Sequence, residues 1–331
     1  MLDVGAADAF IIYLVEQQGY FTQNHLILVD AGKYSNGDKI LKHLHKYYPH
    51  QKINLAIVTH CDKDHYGGFV KMLEKMQNGD DDSISILKFW VNDPSNHGID
   101  PSDVEKKRTQ KTVDKHLRSV YTVNNGSNLL DLIDSLNIPF KECFSDFDFD
   151  GRIFDDEYDC ITILGPTRHY YESQILNMRN DLRAIVESEE ATASFSNEAA
   201  KDIDDAPDDD SSHNQTSIIF LIELNGKKYL FTGDAGEEAF DNLYHIHRAL
   251  IKNIFWLKVP HHGSDHNLSN DLIKEMNPYV AYISTESIDH YLSQTTVDAL
   301  NNVICRVYST HIHGNMLHHG KRIGYSAATP L

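Results

Sequence analysis

The sequence predicts an α/β protein in which two β-sheets are faced by helices on their outer sides. Three observations predict it: apolar strand-like runs alternate with helical periodicity in both halves of the chain; Asn225–Gly226 separates two such runs as a two-residue hairpin signal; and 331 residues at 41% hydrophobic content can fill the required core. In the first half, strands are expected near Phe10–Val15, His25–Val29, Ile53–Thr59, Ile84–Val91 and Asp159–Leu164. Helices are expected near Lys39–Tyr47, Phe69–Met76, Asp103–Tyr121 and Leu129–Leu136. In the second half Ser217–Leu224 and Lys228–Thr232 flank the hairpin turn. Helix Glu237–Lys252, strand Phe255–Val259, helix Leu268–Met276, strand Val280–Ser284, helix Thr295–Asn302 and strand Val303–Tyr308 then alternate. A single domain over 1–331 accounts for this order, and no internal repeat is evident. The stretch 188–212 is rich in Glu, Asp, Ser and Ala. It buries too little apolar surface to offset its ordering entropy and is expected to be an exposed insertion or loop.

The stretch His60–Cys61–Asp62–Lys63–Asp64–His65 places metal-ligand side chains within six residues, between an apolar strand and an amphipathic run. Gly67–Gly68 is read as releasing the backbone before the helix. Extended alternation sends His60 and Asp62 to one side, and the turn toward the helix aims Asp64 and His65 elsewhere, which suits two adjacent cations. The plainer alternative is a polar loop in which Asp64 caps the following helix. Cys61 could supply a thiolate, but the same alternation points it away from His60 and Asp62, as a buried structural thiol.

Thr59–His60–Cys61–Asp62–Lys63–Asp64–His65–Tyr66–Gly67–Gly68 resembles the metal-binding signature of the metallo-β-lactamase fold superfamily, with Asp62 where most members carry a second histidine. That variant looks like the hydrolase domain of the competence DNA-uptake channel family. Four further motifs follow in the family's order: Leu2–Asp3–Val4–Gly5–Ala6–Ala7–Asp8–Ala9, Leu28–Val29–Asp30–Ala31–Gly32, Leu230–Phe231–Thr232–Gly233–Asp234–Ala235, and Val259–Pro260–His261–His262–Gly263–Ser264. The resemblance implies a four-layer αββα sandwich and a dinuclear metal-dependent hydrolase.

Under that resemblance His60, Asp62 and His213 are the expected ligands of a first metal. Asp64, His65 and one of His261 and His262 are those of a second, and Asp234 is the bridge. Asp64, Asp234 and His262 are the residues on which catalysis is expected to turn. Whichever of His261 and His262 does not coordinate would face the substrate as a hydrogen-bond or proton donor. Asp30 is expected to orient a ligand histidine, or else to be a strand-end turn aspartate. Zinc is the first choice, and the anionic Asp62 raises tolerance for manganese. A water acidified between the cations would attack a phosphodiester of a nucleotide or nucleic acid; a lactone, amide or thioester is the alternative substrate, and a non-catalytic metal-binding interaction protein is the third reading. Ser264 is expected to cap a helix or bind substrate. The family's Asn-x-Tyr-Gly-His-Pro stretch is altered, with Asp289, Leu292, Ser293 and Gln294 in place of Asn, Gly, His and Pro; His290 or the pair His311 and His313 could replace the absent histidine, the plainer reading being that these, like His318 and His319, are solvated.

Forty-nine acidic against thirty basic residues give a net charge of −19, which repels free polyanions at long range. About half of that charge is local, since ten acids stand against Lys201 between Glu187 and Ser212. The scattered Cys61, Cys143, Cys160 and Cys305 suggest neither a disulfide framework nor a zinc ribbon. With no apolar run of membrane length and no signal-peptide pattern at the N-terminus, a cytoplasmic protein with no membrane partner is expected.

Overall fold

The computed structural model describes residues 1–18, 21–97, 115, 117–146, 158–175, 177–178, 202–286 and 292–316. It is an α/β structure with two mixed sheets. The first runs in the order β1 (Phe10–Gln18), β2 (Phe21–Val29), β3 (Leu55–Ile57), β4 (Phe89–Trp90), β5 (Phe140–Lys141). Along the second lie β11 (Arg306–Ser309), β10 (Val280–Ile283), β9 (Trp256–Lys258), β8 (Lys227–Phe231), β7 (Ile219–Leu224) and β6 (Ile161–Gly165). In the first sheet β1 pairs antiparallel with β2, and β2 to β5 are parallel. In the second, β6, β7 and β8 are antiparallel neighbours and β8 to β11 are parallel.

Alternation along the strands explains the layering of the core. In β2, Leu26 and Leu28 join an apolar cluster with Ile40, Leu41 and Leu44 of helix α1 (Asn36–Tyr47) and Phe69, Val70 and Leu73 of helix α2 (Lys63–Asn78). Ile27 and Val29, on the other face, join Phe220 and Ile222 of β7 and Trp256 of β9 in a second cluster shared by both sheets. In the second sheet Leu230, Leu257 and Ala281 pack with Leu272, Ile273 and Leu300 from the helices Asn270–Met276 and Gln294–Asn302. Strands buried on both faces read as continuous apolar runs, and that is how these read.

Asn225 and Gly226, with φ of 52° and 70°, make the two-residue turn between β7 and β8. The expected helix Glu237–Lys252 is instead two, Glu237–Asp241 and His245–Leu250. Leu243 turns inward against Gly165, while Arg248 Nη1 donates to the Phe240 carbonyl at 2.9 Å and closes the first helix. Gly67 and Gly68 do not precede a helix; they lie inside α2. A Cβ on Gly68 would lie 2.0 Å from the Ala31 carbonyl oxygen and one on Gly67 2.5 Å from the Tyr34 amide nitrogen, so both positions need glycine for close backbone approach.

The acidic stretch divides. Through residue 201 it lies outside the described residues; beyond it Asp202, Asp204, Pro207, Asp208 and Asp210 are exposed, as a loop would have them, but the segment is anchored at points that its composition did not suggest. Ile203 is buried in the second-sheet core, and the Asp204 carboxylate accepts from the Asn270 amide at 2.8 Å. Asp209 N donates to His266 O at 2.8 Å. These carboxylates are used as acceptors at a helix start and a loop, which composition alone does not reveal. Most of the expected helix Asp103–Tyr121 also lies outside the described residues, as do Asp289, His290, His318 and His319. Ser293 N-caps the helix Gln294–Asn302 and donates to Asp265 at 2.8 Å. His311 and His313 sit together on the short helix Thr310–His313. Among the described residues no helix is long and apolar enough to cross a membrane.

Candidate metal centre

Loops at the C-terminal ends of parallel strands from both sheets meet at one place. After β2 comes Asp30, after β3 the segment Thr59–His65, after β8 Asp234, after β9 His261 and His262, and after β10 Ser284. The first two turns of α2 are fixed to the opening segments by backbone bonds: Asp8 N to Asp64 O at 3.2 Å, Ala31 N to His65 O at 2.7 Å and Gly68 N to Gly32 O at 2.9 Å. Asp62 is the N-cap residue of α2, with an extended backbone, yet its side chain makes no capping hydrogen bond. Nor does Asp64 cap the helix: it is the second helical residue, and its carboxylate stands 3.4 Å from His262 Nε2.

The described residues bring ligand-type atoms together in three groups, His60–His65–Asp234, Asp64–His65–His262 and Asp8–Asp30–His65, each within 4.8 Å. These buried histidines and aspartates could hold a metal ion. His65 belongs to every group, and its ring centroid is 4.0 Å from that of His60 and 5.7 Å from that of His262. The tautomer of His65 is set behind it. Asp30 accepts from His65 Nδ1 at 2.8 Å and is itself held by the Thr59 amide at 2.9 Å and hydroxyl at 2.8 Å, so His65 turns Nε2 toward Asp234 at 3.1 Å. Asp30 is therefore the orienting acceptor rather than a plain turn residue. His262 is fixed likewise, with Nδ1 donating to Ser284 O at 2.8 Å and Nε2 lying 3.7 Å from Asp234 Oδ2.

Both His261 and His262 have positive φ, 44° and 54°, ahead of Gly263 at 88°. Two non-glycine residues in this region store backbone strain of ~1–3 kcal/mol each, of the kind found at functional sites. The turn separates the pair. His262 is buried in the cluster; His261 is directed to Asp209 at 3.1 Å and to Asn267 at 3.1 Å.

Asp62 is drawn aside. Its Oδ1 lies 2.6 Å from His213 Nδ1, while Oδ2 is 3.7 Å from His60 Nε2. His213 Nε2 donates to Met178 O at 2.7 Å. Of the expected ligands, then, His60, Asp64, His65, Asp234 and His262 converge, Asp62 and His213 form a neighbouring pair, and His261 stands outside beside Asp209.

Two buried residues had not been singled out. Lys258, the last residue of β9, has its ammonium 2.8 Å from Asp234 Oδ1 and 2.6 Å from Asp8 Oδ2, and also donates to Gly233 O. Together with the His261 amide at 3.2 Å it holds Oδ1 of Asp234, so that Oδ2 is the oxygen facing the histidines. The available signal was a charged residue within the apolar run Phe255–Val259, and an Asp8 within an alanine-rich opening. A buried charge demands a partner.

Burial favours the neutral carboxyl of Asp234, but His65, Lys258 and His262 outweigh it and hold the group well below the usual carboxylate range. Burial likewise opposes the ionised form of Asp64, yet His262 and His65 bring it down to about 2. His65 goes the other way: burial disfavours its cation, and the Asp234 and Asp30 carboxylates raise it well above the ordinary value. For His213 the adjacent Cys61 and Asp62, against the effect of burial, push the imidazole up to about 12. A divalent cation held among these groups would compete with protons for the ring nitrogens. The fit to cations rests on one atom in particular. His60 Nε2 is buried and makes no hydrogen bond, although it lies in the middle of this polar cluster.

No family model matches the chain. Over 129 residues, 38% of this chain, it is 27% identical to ComE operon protein 3 of Bacillus subtilis strain 168. That match spans only 16% of the length of the Bacillus protein. The chain is thus similar, over part of its length, to a small part of ComE operon protein 3, and it carries a buried histidine–aspartate cluster that could bind metal.

Proposed function

We propose that this chain is a metal-dependent hydrolase of the metallo-β-lactamase fold, holding two divalent cations and cleaving a phosphodiester of a nucleotide or nucleic acid. The observation that carries the reading is the convergence of His60, His65, His262, Asp64 and Asp234 from both sheets, with the buried His60 Nε2 left without a hydrogen bond. The apolar cluster shared by the two sheets and the helix-packed cluster on each outer side support the four-layer arrangement of that fold.

In this reading His60, His65 and Asp234 would serve one cation and Asp64, His65 and His262 the other, with Asp234 Oδ2 within 3.7 Å of both His65 and His262. Zinc suits these imidazole and carboxylate donors, and manganese is the alternative. When bound, such a pair supplies Lewis acidity toward the phosphoryl oxygen and acidifies water. The protein's share is orientation. Asp30 and the Ser284 carbonyl fix the two ring tautomers, and Lys258 leaves Asp234 one oxygen to offer. His261, whose ring centroid lies 6.1 Å from that of His262, is the neighbouring donor for a developing anion. Asp62 and His213 complete the outer side of the His60 position. A cytoplasmic location goes with the reading, on the scattered cysteines.

The test is hydrolysis of bis(p-nitrophenyl) phosphate by protein supplemented with zinc or manganese. Turnover that a chelator abolishes, and that His262→Ala lowers by orders of magnitude, is the expected result. Absence of turnover with either metal, in a protein that does cleave a lactone or thioester, would transfer the reading to that substrate class.

A further inference from the structure

Beside the histidine–aspartate cluster, with Asp64 on its wall, opens a cleft of about 530 Å³ lined also by Lys33, Tyr34, Ser35, Lys63 and Asn124. Its charge runs against that of the chain. The protein carries −19 overall, yet this cleft has two ammonium groups, and among the described residues neither is paired with a carboxylate. Lys63 Nζ donates to Asn124 Oδ1, a neighbour in the lining, at 3.0 Å, and the Lys33 amide is held by Asn36 Oδ1 at 2.8 Å. Both lysines adjoin the starts of long helices, α1 of 12 residues and α2 of 16, whose first-turn N–H groups add partial positive charge on the same side. Tyr34 contributes an aromatic wall, its hydroxyl fixed by Glu74.

We propose that this cleft is a subsite for a second phosphate of the substrate, next to the one cleaved. The inference rests on the hydrolase reading and narrows it. The scissile diester would lie at Asp64 and His262, and a further phosphate, one linkage along, would meet Lys33 and Lys63. A neutral lactone or amide offers these lysines nothing. Two exposed ammonium groups acting together on a dianion can supply about a tenfold preference at low ionic strength, and salt should weaken it.

Calorimetric titration of zinc-supplemented protein with thymidine 3′,5′-bisphosphate and with thymidine 5′-monophosphate tests this directly. Wild type should bind the bisphosphate about tenfold tighter. Lys33→Ala/Lys63→Ala should reduce that preference to less than twofold while leaving monophosphate affinity unchanged, and Lys33→Arg/Lys63→Arg should retain it. Both lysines are exposed, so the variants should keep the wild-type melting temperature. Equal binding of the two nucleotides to wild type, no bisphosphate binding, or a preference that survives the double alanine variant would each overturn the inference. Failure of the hydrolase reading looks different: the bisphosphate preference would persist in a protein with no metal-dependent turnover of bis(p-nitrophenyl) phosphate.

Discussion

Lys258 shows how one buried side chain can set what its neighbours offer. Its ammonium lies between two buried carboxylates, Asp8 and Asp234, and those carboxylates together with burial decide its state: burial lowers the affinity for the proton, the two anions more than restore it, and the lysine stays charged. Replacing it by methionine keeps the volume and removes the ammonium that the two anions share, leaving them the rings of His65 and His262. Lys258→Met should cost ~3–5 kcal/mol in chelator-treated protein, measured by urea unfolding, because one partner of a buried ionic network is gone. Zinc should restore more stability to this variant than it adds to wild type, since a cation supplies the missing charge. Equal zinc effects in the two proteins would separate Lys258 from the centre. Asp234→Asn makes the complementary change. It keeps the shape but removes the charge facing His65 and His262, and should weaken metal retention about 10–100-fold and lower turnover by orders of magnitude with the fold intact, read by metal analysis and by kcat on the aryl diester.

At the level of elements, the turn of α2 against the loop Ala31–Tyr34 keeps Asp64 and His65 in place. Gly68→Ala should destabilise by at least ~1–3 kcal/mol, because its Cβ would meet a backbone carbonyl that cannot move independently of Asp30. Gly79→Ala is the control. Gly79 ends the same helix with φ 72° and has open space around it, so only the backbone cost of ~1 kcal/mol applies. Thermal denaturation of both variants checks the order, and a larger loss at Gly79 would contradict it. The glycine pair also marks where sequence reasoning stops short. A Gly–Gly before an apolar run reads as a break, since the loop that passes over it is more than thirty residues away in the chain. Long apolar strands and the Asn225–Gly226 turn were legible because their signals are local. The two-residue strand β5 was not, since it is too short to display a period, nor was the helix Arg168–Ile175, whose eight residues bury only Tyr170, Tyr171 and Ile175.

Across the whole molecule, the motif residues were legible and their partnerships were only partly so. The short spacing of His60 to His65 marked candidate ligands, but that His262 and not His261 lies in the buried cluster depends on a left-handed turn, and the diversion of Asp62 to His213 depends on contacts between distant segments. The acidic stretch is a further case. Its charge suggested solvated chain, whereas Ile203 and Asp209 tie its end into the second-sheet core and the loop carrying His261. Ile203→Ala should therefore cost ~2–4 kcal/mol and lower the melting temperature by several degrees. No change in melting temperature would return that segment to the surface.

The central claim is that the buried cluster is a two-cation centre, and metal stoichiometry tests it most directly. Native mass spectrometry of protein purified with zinc or manganese in the medium should find two divalent ions per chain. His60→Ala should retain one, and His262→Ala the other. A wild-type protein that holds no divalent ion after either supplementation would contradict the account.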